Sequence, residues 1–176
     1  MKKSTFLSLL TSVLLLNSCS DSHHTNIGDI DCTINEITLT HTLKLPDCPF
    51  GSTSYNADRG NVLIIFQGEV KNTGNEAAHF ITPVFKSSSG CTYKQANHIH
   101  YKSMDNDILG TKLSSGNSHQ FIFFFNIPSS EIADGALEFQ KNLISFDEDN
   151  TVLLPLSISK SKTVQDEVII PNVTNL

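Results

Sequence analysis

The chain has 176 residues, enough for one ordinary domain and too few for two cores of normal size with a linker between them. Apolar residues make up 39% and charged residues 17%, a balance that suits a packed globular fold and excludes wholesale disorder. The formal charge of -6 offers no basic footprint for a nucleic-acid backbone or for electrostatic docking on an anionic lipid surface.

Lys2 and Lys3 precede an apolar stretch, Phe6 to Leu16, interrupted only by Ser8, Thr11 and Ser12. This is the charged n-region and short h-region of a secretory signal. It is 11 residues long, whereas a membrane-spanning helix needs about 20. Leu16-Asn17-Ser18-Cys19 then resembles the bacterial lipobox, with Leu three before the cleavage point, a small residue just before it and Cys just after. The resemblance implies a signal peptide over 1–18 and a diacylglyceryl thioether on Cys19, a covalent lipid in place of any other cofactor. Each buried CH₂ of such a lipid contributes about 0.8 kcal/mol, so several acyl chains hold a domain on a membrane almost permanently. Ser20, rather than Asp, in the position after the Cys points to the outer membrane in a double-membrane host. The expected location is the cell envelope, with the domain facing the periplasm or the exterior.

Removal of residues 1–18 takes two lysines and no acid, so the formal charge moves from -6 to -8. With Cys19 lipidated, Cys32, Cys48 and Cys91 remain in a compartment that permits disulfides. Cys32 with Cys48 is the preferred bridge, because both lie in a poorly patterned region where a staple of about 3 kcal/mol adds most. Cys48 with Cys91, or three reduced thiols, are the alternatives.

Residues 19–31 are mostly polar and read as a short lipidated tether, with His23 and His24 inside it. After it, short apolar or alternating runs are separated by Gly, Pro, Asn, Asp and Ser, as in sandwiches and barrels. Thr33 to Leu45 alternates Ile37, Leu39, Leu43 and Leu45 against Thr38, Thr40, Thr42 and Lys44, which predicts one wet face. Asn61 to Asn72 places Val62, Ile64, Phe66 and Val70 on one side, with Gly68 where a bulge or a close neighbour would fit. Lys71 to Asn75 supplies residues that favour a positive-φ turn. Ala77 to Lys86 is broken by Pro83, and Cys91 to Tyr101 follows another turn. Gln120 to Ile127 turns Phe121, Phe123, Phe125 and Ile127 inward, and Pro128 closes it. Gly135 to Leu143, Val152 to Ser159 and Val164 to Ile170 complete about eight strands, with Asp147-Glu148-Asp149-Asn150 as a hairpin tip. The predicted class is all-β: an immunoglobulin-like antiparallel β-sandwich over 32–160, followed by a C-terminal strand or tail over 161–176.

Gln67-Gly68-Glu69-Val70-Lys71-Asn72-Thr73-Gly74-Asn75 resembles the G-x-V-x-N-T-G turn of exported bacterial domains in the telokin-like, immunoglobulin-type superfamily. Leu113-Ser114-Ser115-Gly116-Asn117-Ser118, followed by Phe121 to Pro128, is similar to their L-x-x-G-x-S … F-x-F-x-x-P segment. The resemblance implies a sandwich and carries no catalytic residue with it.

His98 and His100 have the spacing that projects two imidazoles from one face of a strand, an opening for a Zn or Cu site whose third ligand is His79, His119, Cys91 or an acid. The acidic groups Asp105-Asn106-Asp107 and Asp147-Glu148-Asp149 lack the Gly and distal Glu of an EF-hand and read as solvated turns. No G-x-S-x-G elbow, P-loop or H-E-x-x-H helix is present, so an enzyme is not expected. Leu63 and Ile65, with Ile122 and Phe124, make two strands apolar on both sides. A half-exposed strand is wet outside, so these four residues predict an outer patch that docks another envelope protein, or one covered by a loop or tail. The expected function is a membrane-anchored, non-catalytic binding or assembly module, and the alternative is a metal-binding envelope protein using His98 and His100.

Overall fold

The computed structural model describes residues 22–46, 52–94, 100–101, 112–141, 150–158 and 163–171. The signal segment 1–18, Cys19, Cys48, His98 and both acidic groups, apart from Asn150, lie outside them.

A seven-stranded and a four-stranded sheet face each other as an antiparallel β-sandwich, with a two-stranded ribbon beside them. The large sheet is built on three long strands: β2 (Ile30–Leu45), β4 (Asn61–Asn72) and β10 (Ser118–Pro128). β1 (His23–Ile27) and β13 (Gln165–Ile169) pair with β2, β3 (Thr53–Asn56) also pairs with β2, and β8 (His100–Tyr101) pairs with β10. The β13 pairing is parallel. The small sheet runs β12 (Thr151–Leu156), β11 (Gly135–Gln140), β6 (Val84–Ser87), β7 (Thr92–Lys94). β5 (Ala78–His79) pairs with β9 (Lys112–Leu113).

Alternation explains the core. In β4 and β10 one side chain in two enters the sandwich, and Phe66, Phe121, Phe123 and Phe125 from the large sheet meet Phe85 and Phe139 from the small one. Phe121 and Phe123 stack at 5.1 Å, and Phe85 meets Phe125 at 5.9 Å across the two layers. Phe80 bridges Phe121 at 5.5 Å and Phe139 at 5.9 Å. Offset aromatic pairs of this kind add about 0.5–1.5 kcal/mol each beyond the area they bury.

Three expectations are corrected. The tether assigned to 19–31 is structured from His23 onward: Thr25 pairs with Cys32, and Ile27 with Ile30, both buried. One inward Ile on a strand that is otherwise polar was too weak a pattern to mark it. Because β1 is a strand, His23 and His24 point to opposite faces and do not form a chelating pair. The wet face predicted for β2 is also absent over 37–40, where Thr38 and Thr40 are buried beside Ile37 and Leu39. A register shift between Ile34 and Glu36 exchanges the inward parity from Ile30, Cys32 and Ile34 to Ile37 and Leu39. It changes again at Thr40, whose hydroxyl accepts the Thr42 N–H at 3.2 Å, and Leu43 and Leu45 enter a separate cluster. Finally, Cys32 is a free, fully buried thiol in the sandwich core, so the preferred Cys32–Cys48 bridge does not form. Cys91 is free and exposed.

The resembling motifs prove to be one structural clamp. Asn72 is fully buried and donates from Nδ2 to the carbonyls of Glu76 at 2.7 Å and Leu113 at 2.8 Å, while its Oδ1 accepts the Gly74 N–H at 2.9 Å. Ser115 Oγ donates to the Gly74 carbonyl at 2.7 Å, and Thr73 Oγ1 to the Asp29 carbonyl at 3.0 Å. Three turns at one end of the sandwich are thereby tied together. Gly74 is required there by close approach rather than by φ, since a Cβ would lie 2.7 Å from Asp29 Cγ.

Candidate functional site

The outer face of the large sheet divides into two halves. The first holds Leu63, Ile65, Ile122 and Phe124, which the register does bring together: Phe124 pairs with Ile65, and Asn126 with Leu63. They are buried, however, in a second cluster with Leu43, Leu45 and Ile170, packed by Tyr55, Ala57 and Val168. Tyr55 from β3 lies over Phe124 at 4.8 Å. The C-terminal segment covers the other flank, held by the Ile170 N–H to the Lys44 carbonyl at 3.0 Å and by Lys44 Nζ to Glu167 Oε2 at 2.5 Å. The expected partner patch is therefore corrected to an internal second core: its apolar area is already spent on the chain's own β3 and β13.

The second half is polar and open. Asp31 and Thr33 of β2 stand opposite Lys71 and Glu69 of β4, and Asn35 completes the lining of a depression of about 200 Å³. His24 of β1 forms an ion pair with Asp31 Oδ1 at its rim. Beside it, Glu36 accepts from Gln67 Nε2 and from Thr38 Oγ1, each at 3.0 Å, so the bulge at 34–36 holds a fixed carboxylate against β4. Ser118 and Gln120 of β10 extend the row, opposite Lys71 and Glu69. The lining of the depression offers two carboxylates, an ammonium, a hydroxyl and an amide on a rigid sheet. It suits hydrogen-bonded recognition of a polar group.

Sequence reasoning passed over this face. Asp31 closes the polar 19–31 segment, and Gln67 and Glu69 fall within the turn motif that carries the resemblance. The alternation Ile30, Cys32, Ile34 against Asp31, Thr33 was the signal that could have found its β2 half.

Of the proposed metal ligands, His98 lies outside the described residues and His100 sits on β8 opposite Ile122. Among the described residues no group of three His, Cys, Asp or Glu could hold a metal ion. His119 and His79, the candidate third ligands, stand on β10 and β5, opposite Val70 and Lys112. Burial pushes the Cys32 thiol up to about 12, with the neighbouring Asp31 carboxylate adding to the push, so it stays protonated and unreactive at neutral pH. At the far end of the molecule, Ser89 Oγ donates to Glu131 Oε2 at 2.6 Å, and hydrogen bonds from Ser89 and Ser87 hold that carboxyl below its usual range.

The sequence matches no family model and no curated protein. Three solved structures are similar in fold. A candidate lipoprotein from Bacillus subtilis is 10% identical with a TM-score of 0.55, over 80% of this chain and 40% of its own. A functionally unknown protein from Listeria monocytogenes is 11% identical with a TM-score of 0.51, over 80% and 84%. An uncharacterised β-sandwich protein from Clostridium difficile is 16% identical with a TM-score of 0.49, over 76% and 89%. At such identities the likeness to the first two is one of fold alone, and that fold is the β-sandwich already described.

Proposed function

We propose that this chain is an envelope lipoprotein: a β-sandwich fastened to a membrane by lipid on Cys19 and acting as a non-catalytic binding or assembly module. The observation that carries the reading is the run from Lys2 through the apolar Phe6 to Leu16 stretch to Leu16-Asn17-Ser18-Cys19. The B. subtilis protein of similar fold, itself a candidate lipoprotein, is consistent with it. The polar half-face around Asp31, Thr33, Asn35, Glu69 and Lys71 is the surface for the partner, because the apolar half is occupied by β3 and β13. Cells fed radiolabelled palmitate should incorporate it into the wild-type chain and not into Cys19→Ser. A soluble mature protein with an unmodified Cys19 overturns the reading. For the module role, Glu69→Ala with Lys71→Ala should remove a crosslinked envelope partner in intact cells while leaving stability unchanged; a crosslinking pattern that survives the double change rejects this face.

A further inference from the structure

The depression on the polar half-face is floored by groups that the chain itself leaves uncommitted. At its rim Asp31 is taken by His24, and Asp31 Oδ1 is shielded from solvent. Glu36 beside it is taken by Gln67 and Thr38. By contrast, among the described residues neither the Glu69 carboxylate nor the Lys71 ammonium is in an ion pair, and the Thr33 hydroxyl and the Asn35 amide make no side-chain hydrogen bond. The register stands Asp31 opposite Lys71, a placement that favours a cross-strand ion pair, yet Asp31 turns to His24 instead.

Size, lining and charge narrow what fits there. The volume of about 200 Å³ is below the roughly 300–1,000 Å³ of pockets for drug-sized ligands, so the occupant is a small molecule or one end of a larger one. The described residues that line it are all polar, which leaves no platform for stacking a ring and no anchor for an apolar side chain. An anion alone would sit by Lys71 but face the carboxylates of Asp31 and Glu69, on a chain of formal charge -6. A cation alone would sit by Glu69 but close to Lys71, the next outward position of the same strand, about 7 Å further along. A group that carries both charges gives each of these side chains its opposite.

We infer that the depression is a subsite for an α-amino-acid group, an ammonium and a carboxylate carried on one carbon. The carboxylate accepts from Lys71 Nζ. The ammonium donates to the Glu69 carboxylate, with the Thr33 hydroxyl and the Asn35 side-chain carbonyl as further acceptors, which accounts for all of its N–H donors. The contact with His24 keeps the Asp31 carboxylate engaged and so weakens its repulsion of the ligand's own. Because the floor lies on two paired strands, little backbone order remains to be lost on binding. The inference rests on the reading of this half-face as the binding surface and adds what is recognised there. The source is a free amino acid or the exposed α-amino-acid end of a larger envelope partner.

The test follows backbone amide shifts of the isotope-labelled full chain during titration with alanine, with ethylamine, which lacks the carboxylate, and with propionate, which lacks the ammonium. Alanine should shift Thr33, Asn35, Glu69 and Lys71 saturably, and either half-molecule should bind at least about ten-fold more weakly, the worth of a charge-assisted hydrogen bond. Lys71→Met should weaken alanine by a similar factor without weakening ethylamine, and Glu69→Gln should weaken alanine without weakening propionate. Nε-acetyl-lysine, with a free α-centre on a long side chain, separates the sources: binding as tight as that of alanine shows that a larger partner can project from the site, and rejection assigns it to a small free amino acid. Ethylamine or propionate binding as well as alanine, or no saturable shift at these four residues, overturns the inference. If the envelope crosslink then still depends on Glu69 and Lys71, the ligand class alone falls; if it does not, the reading of this face falls with it.

Discussion

Replacing Asn72 by alanine tests whether the shared turn motif is structural. The side chain is fully buried and makes three hydrogen bonds to backbone, to Glu76 O, Leu113 O and Gly74 N. Each is worth about 1 kcal/mol net, and the Leu113 carbonyl, whose bond to Asn72 is buried, loses a partner that water replaces poorly. The expected loss is about 3 kcal/mol, a large share of the 5–15 kcal/mol typical of a domain. For a domain of this size that lowers Tm by roughly 6–12 °C. In urea titration the midpoint should fall with the slope unchanged, since the surface exposed on unfolding stays the same. Asn72→Asp sharpens the test: it is nearly isosteric but turns a carboxylate oxygen toward two carbonyl oxygens, so it should destabilise at least as much. A loss below about 1 kcal/mol for Asn72→Ala, or near-normal stability for Asn72→Asp, refutes the clamp.

Three further outcomes follow from the same structure. Gly68→Ala should cost about 2–3 kcal/mol by thermal denaturation, because its Cβ would stand 2.1 Å from the Thr33 carbonyl oxygen and 2.7 Å from Phe121 Cζ, and backbone cannot swing aside. Ile170→Asp should destabilise by about 3 kcal/mol or more and raise binding of a hydrophobic dye as the second core opens, whereas Ile169→Asp, at a position 58% exposed, should change stability by less than about 0.5 kcal/mol. Cys32, raised from 9.0 to about 12, stays protonated in the folded chain while the unfolded chain ionises first; stability from this group is complete below pH 9 and is lost as pH rises toward 12, by about 1.4 kcal/mol per pH unit, and Cys32→Ala should lack that slope in alkaline urea titrations.

What the sequence made legible follows from the range of the forces involved. β4 was read with its observed bounds and β10 nearly so, because their burial is dictated by alternation within each strand. Pro83 likewise marked the break that separates β5 from β6. β1 and β3 were missed because each carries too few apolar residues to show a period; they are strands because β2 supplies their hydrogen-bond partners. The bulge at Ile34/Glu36 is equally invisible in a linear pattern, and it exchanges the faces of β2 from Glu36 to Leu39 before the parity changes back at Thr40.

The two halves of the outer sheet face show the same limit from opposite directions. Two-sided apolarity at Leu63, Ile65, Ile122 and Phe124 was plain, but what covers it comes from Tyr55 on β3 and from Ile170, more than 100 residues further along the chain. The polar depression needs Asp31 opposite Lys71 and Thr33 opposite Glu69, a register set across 40 residues of chain by the Asn72 clamp at one end and the bulge at the other. The binding proposed for that face is therefore coupled to the turn motif. A variant that loosens the clamp should weaken partner binding at Glu69 and Lys71 even though it touches neither, because the carboxylate and ammonium keep their spacing only while β2 and β4 keep their pairing.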